Sequence, residues 1–278
     1  MMSKSRFKGL VDAVCRTADR HPNAPKWLDE EPEPRECQCG EMMEPAKHFL
    51  EDLWLALPEL CDDCQRKKEG EEREKDRKMA TFERELEAAE IPPLPLKRAD
   101  ALCIGRKPHP FLDRFTKIDP NKPRVSWGVY IHGPTGTGKT VQACVALRLF
   151  LYRWIYQAGR HVTARYAHTE RLMERTKRSF GGGDPVDWEA IEGCDLLVLD
   201  DLATERGTEF VAERIGGLVD YRYSHLRPTI FVSNVPIGEL AGATTAYDDR
   251  TAGRIIEMCG GSHLQVLRLT ERHRTAVS

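Results

Sequence analysis

The chain has 278 residues, which is enough for one large domain or two modest ones. Its apolar fraction of 40% is sufficient for a packed core, and its net charge of −2 argues against a general electrostatic attraction to nucleic acid. No segment approaches the ~18 consecutive apolar residues of a membrane helix, and no signal-peptide-like run follows the N-terminus. We therefore expect a cytoplasmic protein without membrane contact, whose nine cysteines are thiols or metal ligands rather than disulfides.

Two close cysteine pairs mark the N-terminal region: Cys37 with Cys39, and Cys61 with Cys64. Four thiolates suit tetrahedral Zn²⁺, and paired cysteines at such a spacing are typical of a small zinc-binding domain. Free thiols and a redox pair are the alternatives, although no thioredoxin-like pattern surrounds these residues. We interpret His48 as a surface residue, although its imidazole could also replace one of the four ligands. We expect a structural zinc site over residues 1–64, because four cysteine ligands leave no open coordination position.

A highly charged segment follows, and we assign residues 65–95 to a helical linker. Its Lys, Arg and Glu residues place opposite charges three or four positions apart, which is typical of a solvated helix. The prolines between residues 91 and 95 cannot continue that helix.

Residues 96–278 alternate strand-like and helix-like runs, which predicts an α/β domain with a parallel sheet flanked by helices. The predicted strands are 128–132, 162–167, 196–199, 229–232 and 264–269. The predicted helices are 139–157, 169–179, 208–225 and 250–259.

The loop between the first of these strands and its helix follows the pattern G-x-x-x-x-G-K-[ST]. It consists of Gly133, Pro134, Thr135, Gly136, Thr137, Gly138, Lys139 and Thr140. Glycines let backbone N–H groups turn toward phosphate oxygens, and the following helix adds its positive N-terminal end. We expect Lys139 at the β- and γ-phosphates and Thr140 at Mg²⁺. A glycine-rich turn without a ligand is the alternative. The pattern predicts a nucleoside triphosphate site.

Polar residues follow two other predicted strands. Asp200 and Asp201 end an apolar strand, where Asp200 is expected to hold Mg²⁺ with Thr140, and Asp201 to deprotonate the attacking water. Many ATPases use a glutamate as this base. Aspartate is one methylene shorter and holds its carboxylate farther from the water, so hydrolysis is expected to be slow. Asn234 follows the next strand, where an amide can bind the γ-phosphate or its water. A solvated acidic turn and an ordinary Ser-Asn turn are the alternatives.

Arg250 and Arg254 lie four residues apart and therefore share one face of the last predicted helix. The planar guanidinium suits a triphosphate approached from outside, in cis or from a neighbouring subunit. Two solvated arginines on a surface helix are the alternative.

These motifs, in this order and spacing, resemble those of AAA+ ATPases. Asp200-Asp201-Leu202, Arg227-Pro228-Thr229-Ile230 and Ser233-Asn234 are similar to the DnaC/IstB-like group, which contains bacterial and phage replicative helicase loaders. The resemblance covers about residues 92–272. It implies an ATPase with a P-loop AAA+ core and no C-terminal helical lid, and weak hydrolysis unless subunits assemble. It implies that Asn234 is the sensor residue and Arg254 the finger that reaches a neighbour's ATP.

The same resemblance implies a contact with single-stranded DNA around the helix predicted over residues 169–179. The candidate residues are Arg171, Arg175, Lys177, Arg178 and Phe180. Basic groups follow phosphates and an aromatic ring stacks on a base, which is a sequence-tolerant mode of binding. A solvated amphipathic helix is the alternative, because Glu170 and Glu174 lie among the basic residues.

Three functions remain open from the sequence. The first is an ATP-dependent loader that self-associates through the ATP site and delivers a replicative hexameric helicase to single-stranded DNA, with the zinc-binding region as the helicase-binding domain. The second is an IstB-like transposition ATPase that recruits a transposase to DNA. The third is a nucleotide-gated DNA-binding adaptor with little turnover.

Overall fold

The computed structural model describes residues 27–28, 31–47, 54–55, 59–105, 110–119, 127–203, 208–241, 247–260 and 266–268. The chain forms two compact units, Met1–Glu74 and Lys75–Ser278. The domain boundaries after residues 64 and 95 remain predictions, and His48 lies outside the described residues. Within the described ranges, no helix combines the length and the apolar character needed to cross a bilayer.

The first unit contains short antiparallel strands. β1 (Trp27–Leu28), β4 (Ala46–Lys47) and β5 (Trp54–Leu55) form a sheet in the order β1–β5–β4. β2 (Arg35–Glu36) and β3 (Met42–Met43) pair as a separate hairpin. Strands of two residues supply few ladder hydrogen bonds, so the described strands by themselves stabilise this unit only slightly.

A long helix, α1 (Asp62–Ala88), begins in the first unit and ends in the second. It starts earlier than the linker helix predicted from charge, so that Cys64 lies in its first turn. The prolines end it as expected, but Pro93 also begins a new helix, α2 (Pro93–Gly105). Proline is favoured at a first helical position because the N–H that it lacks has no intrahelical partner there. The short helix α3 (Pro110–Phe115) follows.

The second unit is built on a five-stranded sheet in the order β10–β6–β9–β8–β7, and every pair is parallel. The strands are β6 (Gly128–His132), β7 (Ala164–His168), β8 (Leu196–Leu202), β9 (Thr229–Ser233) and β10 (Val266–Arg268). Each overlaps a strand predicted from the sequence. β8 is longer than predicted, because it continues through its two aspartates.

Helices follow the strands in alternation. They are α4 (Lys139–Leu151), α5 (Thr169–Ser179), α6 (Trp188–Gly193), α7 (Glu209–Ser224) and α8 (Asp249–Met258). The helix predicted over 139–157 is present over that whole range, but its last part, Tyr152–Gln157, is a wider π-helix instead of an α-helix. Arg153 in that segment is anchored away from α4, where it donates to the carbonyl oxygen of Asp113 at 2.8 Å.

Alternate strand residues bury both faces of the sheet. Val129, Ile131 and Val198 pack on the side of α4, whereas Tyr130 and Leu199 pack on the side of α7 and α8. The predicted α/β fold, a P-loop core with a parallel sheet flanked by helices, is confirmed. Residues 269–278, on which the expected absence of a lid depends, lie outside the described residues.

Candidate functional site

The glycine-rich loop lies between β6 and α4. Gly136 and Gly138 have φ angles of 83° and 90°, in the left-handed region that glycine adopts readily. The Thr137 hydroxyl donates to the Pro134 carbonyl oxygen at 2.9 Å and closes the turn. Gly138 directly precedes α4, so the unpaired N–H groups of the first helical turn lie at the mouth of the loop. This arrangement suits the binding of an anion.

Lys139 begins α4 and extends its side chain back over the loop. Only 8% of it is exposed, and Nζ donates to the carbonyl oxygens of Gly133 at 2.8 Å and Pro134 at 3.0 Å. A third bond joins Nζ to Asn234 Oδ1 at 2.8 Å. Burial lowers the pKa of Lys139, and the charges of the two strand-end aspartates oppose that shift. The ammonium group therefore lies between the loop and the end of β9.

Asp200 is a buried carboxylate with donors on both oxygens. Oδ1 accepts the N–H of Asp201 at 2.9 Å, and Oδ2 accepts the hydroxyl of Tyr166 at 2.5 Å. Burial raises the pKa of Asp200, and hydrogen bonds from Tyr166 and Thr140 oppose the rise. The structure thus brings together Thr140 and Asp200, whose hydroxyl and carboxylate oxygens fit the hard-oxygen preference of Mg²⁺.

A β-bulge shapes the end of β8. Leu199 pairs with Phe231 and Leu202 pairs with Ser233, so β8 contains one more residue than β9 over this stretch. Asp201 lies in the bulge with a φ of 63°, which a residue with a side chain rarely adopts. The bulge allows two consecutive acids to serve one site, although successive residues of a regular strand point to opposite faces.

Polar side chains from two neighbouring strand ends meet Asp201. Asn234 Nδ2 lies 3.4 Å from Asp201 Oδ1, and His168 Nε2 lies 3.5 Å from Oδ2. The Thr169 hydroxyl donates to the main-chain oxygen of Asp201 at 3.0 Å. The carboxyl ends of β7, β8 and β9 therefore converge on this carboxylate, as expected for a parallel sheet.

Sequence reasoning missed Tyr166, His168 and Thr169, at the junction of β7 and α5. The sequence did contain a signal for two of them, because His168 and Thr169 are polar residues that directly follow a predicted strand, as Ser233 and Asn234 do. Strand order was the missing information. Only the structure places β7 beside β8, with His168 opposite Asp200 in the register.

The two candidate finger arginines lie on α8 and contact α7. Arg250 Nη2 is 3.2 Å from Asp220 Oδ2, and Arg254 forms an ion pair with the same carboxylate. The guanidinium of Arg254 also lies 5.5 Å from the ring centroid of Tyr223. The described contacts hold both arginines within their own chain, against α7 rather than against the loop or the strand-end acids.

The five candidate DNA contacts on and after α5 divide between two sides. Arg171 and Arg175 line a cleft of about 880 Å³ beside β7, and Arg175 pairs with Glu90 at 2.8 Å. Arg178 pairs with Glu174 at 3.4 Å. Further residues of the cleft are Arg84, Ile91, Pro93, Arg165, Val186 and Asp187.

Lys177 and Phe180 belong to a different cluster, with α7. The Lys177 ammonium is 5.7 Å from the ring centroid of Phe210, and the Arg214 guanidinium is 5.8 Å from it. Phe180 is 69% exposed and meets Phe210 edge to face at 5.9 Å. The structure thus presents an exposed aromatic ring bordered by cations, which sequence reasoning had placed with the arginines of the cleft.

The four predicted zinc ligands lie together in the first unit. The sulfurs of Cys37, Cys39, Cys61 and Cys64 all lie within 4.8 Å of one another, and those of Cys39 and Cys61 are 3.6 Å apart. A tetrahedron with Zn–S bonds of ~2.3 Å requires sulfurs ~3.8 Å apart, so the cluster fits zinc closely. Gly40, with a φ of 90°, forms the turn between β2 and β3 that carries the first pair.

Backbone donors favour a thiolate in this cluster. The N–H of Cys61 lies 3.3 Å from Cys37 Sγ. Hydrogen bonds from the N–H groups of Cys61 and Cys39 lower the pKa of Cys37 to about 6. A thiolate is the form that binds a metal, and these backbone donors favour it at Cys37. A hydrogen bond to Glu41 raises the pKa of Cys61, and one to Cys39 raises the pKa of Cys64.

No protein-family model and no curated protein sequence matches this chain. Among solved structures, it is similar to the DnaC helicase loader, with 23% identity, 57% of this chain and 86% of that chain covered, and a TM-score of 0.46. It is also similar to DnaI, with 24% identity, coverage of 59% and 81%, and a TM-score of 0.47. A third is the replication initiator DnaA bound to AMPPCP and single-stranded DNA, with 17% identity, coverage of 58% and 44%, and a TM-score of 0.44.

Proposed function

We propose that this chain is a magnesium-dependent ATPase of the AAA+ class that loads a replicative helicase onto single-stranded DNA. The ATPase role is supported by one observation above all. The glycine-rich loop, Lys139, the Thr140–Asp200 pair, Asp201 and Asn234 meet at the ends of three adjacent strands. The loader role is supported by the order and spacing of the sequence motifs.

Each site residue has one task in this proposal. The loop N–H groups and Lys139 bind the phosphates, while Thr140 and Asp200 hold Mg²⁺, which neutralises charge on the β- and γ-phosphates. Asp201 takes the proton of the attacking water, and Asn234, which already bonds to Lys139 and contacts Asp201, orients that water. Positioning and electrostatics are what phosphoryl transfer requires from a protein.

Replacement of Lys139 by alanine tests the phosphate site. We expect Lys139→Ala to weaken the binding of a fluorescent ATP analogue with Mg²⁺ by at least about 10-fold, since hydrogen bonds to a charged group contribute roughly 1.5–3 kcal/mol. Lys117→Ala is the control, because this exposed lysine pairs with Asp113 outside the site. Equal affinity of both variants and the wild type, or no affinity at all in the wild type, contradicts the proposal.

We assign Arg254, with Arg250 beside it, to the ATP of a neighbouring subunit. A mixing experiment tests this assignment. Lys139→Ala lacks a working phosphate site, and Arg254→Ala lacks a working finger, so each alone is inactive. A mixture forms some interfaces that pair an intact Lys139 with an intact Arg254, and ATP turnover should reappear there. No recovery on mixing, with both variants shown to assemble, contradicts a finger that acts between subunits.

Two other regions of the chain are proposed to bind the helicase and the DNA. The cysteine cluster region is proposed to bind the helicase, and α5 with its following loop the single strand. Capture of the cell's hexameric replicative helicase by the full-length wild type, but not by a zinc-depleted Cys64→Ser variant, supports the loader role. A preference for duplex over single-stranded DNA at a fixed salt concentration favours the IstB-like alternative instead.

The low-turnover adaptor stays a second candidate because of Asp201. This short carboxylate is already in contact with Asn234 and His168. Turnover by the wild type that is lost in Asp201→Asn supports the ATPase. Near-zero rates for both, with and without single-stranded DNA, together with intact ATP binding, favour the adaptor.

A further inference from the structure

Tyr166 is a buried tyrosine of β7 with no assigned role in the phosphate site. Its side chain is 9% exposed and packs in the core on the α4 side of the sheet. Its hydroxyl donates to Asp200 Oδ2 at 2.5 Å. An ionised carboxylate has no proton to give, so in this contact the phenol donates and Asp200 accepts.

The contacts around Asp200 leave its carboxylate little freedom to rotate. Oδ1 accepts the N–H of Asp201 at 2.9 Å, and the Thr169 hydroxyl donates to the Asp200 main-chain oxygen at 3.2 Å. Tyr166 also donates a side-chain hydrogen bond to Asp200, although it belongs neither to the glycine-rich loop nor to the pair of acids at the end of β8. The position of the carboxylate plane thus depends on a residue two positions before the strand end.

Tyr166 is itself held on its main-chain side. Its N–H donates to the carbonyl oxygen of Ala89 at 2.9 Å, just after α1 ends. The ring is fixed by the core and the backbone by this bond, so the hydroxyl cannot move without disturbing both. Because β7 fixes the position of Tyr166, it also fixes the position of the hydroxyl group that donates to Asp200.

We propose that Tyr166 is a positioning residue whose hydroxyl fixes the Asp200 carboxylate for the magnesium ion of the bound nucleotide. The inference rests on the proposed ATPase function and adds a residue to it. Partners that orient a metal ligand commonly contribute about 10–100-fold to metal affinity. Without the hydroxyl, Oδ2 is left as a buried acceptor, and the carboxylate is free to turn away from Thr140.

The test is Tyr166→Phe in the full-length protein, with binding of a fluorescent ATP analogue measured across a magnesium titration and in EDTA. We expect affinity in EDTA to stay within about 2-fold of the wild type. The magnesium concentration that gives half of the metal-dependent gain should rise about 10-fold. Tyr130→Phe is the matched control, because it also loses a buried phenol hydrogen bond, to the Val235 carbonyl oxygen at 2.8 Å, but none to Asp200.

The outcomes separate this inference from the ATPase proposal. An unchanged magnesium requirement in Tyr166→Phe overturns the positioning role. So does an equal loss of affinity with and without magnesium, which indicates a purely structural residue, and so does an equal shift in Tyr130→Phe. A wild type that shows no magnesium-dependent ATP binding overturns the proposed function itself, whatever the variants do.

Discussion

Among the described residues, the two compact units bury apolar surface to very different extents. In the first, the described buried cluster consists of Cys37, Met43 and Cys61, with Leu60 and Cys64 partly buried against it. In the second, apolar residues cover both faces of a five-stranded sheet. Because apolar burial is the dominant favourable term in folding, the second unit has its own source of stability. We expect the first unit to draw stability from the zinc that we propose for its four sulfurs.

The functional residues of the two units are therefore expected to contribute differently to folding. The cysteines of the first unit are the zinc ligands that we propose, and they also make up most of its described buried cluster. In the second unit, Lys139 begins α4, whereas Asp201 and Asn234 lie at the ends of strands whose interiors pack without them. Loss of a metal ligand is therefore expected to unfold its unit, whereas loss of a phosphate-site residue is expected to leave its unit folded. Loss of zinc tests the first half of this expectation, and three further predictions measure what buried, exposed and helix-capping residues contribute to the second unit.

The largest effect is expected from loss of zinc. Structural zinc provides ~10–16 kcal/mol of binding free energy in comparable small domains, so Cys64→Ser or chelation should unfold the first unit. Amide hydrogen exchange should lose protection over residues 35–47 while β6 to β9 stay protected. Zinc content, measured by atomic absorption, should be one per chain in the wild type and absent in Cys64→Ser.

Cys259→Ala is the control for zinc content. This cysteine is buried in the second unit beside α8 and belongs to no sulfur cluster among the described residues. It should retain one zinc per chain. Full zinc content in Cys64→Ser, or loss of protection in both units together, contradicts the contrast drawn between them.

Arg222 provides the next largest effect, in the second unit. It is 1% exposed, and its guanidinium donates to Thr229 Oγ1 at 2.9 Å and to the carbonyl oxygens of Glu192 at 2.8 Å, Cys194 at 3.1 Å and Pro228 at 2.5 Å. Arg222→Met leaves these acceptors buried without a donor. We expect the free energy of unfolding to fall by roughly 3–5 kcal/mol, measured with denaturant.

Arg227→Met is the matched control, since this arginine is 30% exposed and pairs with Asp195 at 3.2 Å. Its effect should not exceed about 1 kcal/mol. Zinc content should be normal in both variants, because the cysteine cluster belongs to the other unit. If both substitutions lower the free energy of unfolding by similar amounts, the burial of Arg222 does not increase its contribution to stability.

Replacement of Phe180 tests which side of α5 contacts the single-stranded DNA that we propose as its ligand. Stacking of a base on an aromatic ring contributes ~1–3 kcal/mol, so Phe180→Ala should weaken single-stranded DNA binding by about 5–150-fold. Folding should be unaffected, because the ring is largely exposed. Fluorescence anisotropy with a labelled oligonucleotide at fixed salt measures the change.

Leu94→Ala is the control for Phe180, as another exposed apolar side chain of the second unit, 58% exposed. It should bind DNA like the wild type. The double variant Arg171→Ala, Arg175→Ala probes the cleft side. Loss of binding in the double variant together with normal binding in Phe180→Ala assigns the DNA to the cleft and contradicts stacking on the exposed ring.

The smallest effect concerns Asp248, which caps α8 by accepting the N–H of Thr251 at 2.7 Å. Asp248→Ala should lower the free energy of unfolding by about 1 kcal/mol near pH 7. The backbone hydrogen bond from Thr251 lowers the pKa of Asp248 below its ordinary 3.8. The contribution is therefore complete above that value and disappears as pH falls through the lowered pKa in the folded state.

Thermal unfolding from pH 2 to pH 7 checks this sign. The difference between wild type and Asp248→Ala should be constant above about pH 5 and shrink below pH 4. Asp248→Asn keeps a capping oxygen without a titrating group, and should stay close to the wild type near pH 7. A difference that grows toward low pH contradicts the assigned role of the carboxylate.

The sequence predicted the strands and the phosphate loop because these depend on local patterns. Continuous apolar runs mark strands buried on both faces, and Gly-x-x-x-x-Gly-Lys-Thr is a contiguous signal. It could not predict the π-helix at Tyr152–Gln157, whose Arg153 bonds to Asp113 across 40 residues of chain. The sequence also could not show that Lys177 and Phe180 lie on a different side of α5 from Arg171. Their partner Phe210 belongs to α7, which is distant in sequence.

The amino-acid sequence by itself determined which residue types are available for the site: the glycine-rich loop, the two acids of β8, the amide after β9 and the four cysteines. Only the tertiary structure decided that β7 lies next to β8, and so brought Tyr166 and His168 against Asp200 and Asp201. The physical reason is that strand order and the β-bulge depend on pairing between segments distant in sequence. Local side-chain periodicity reports burial, but it does not report the neighbour of a strand.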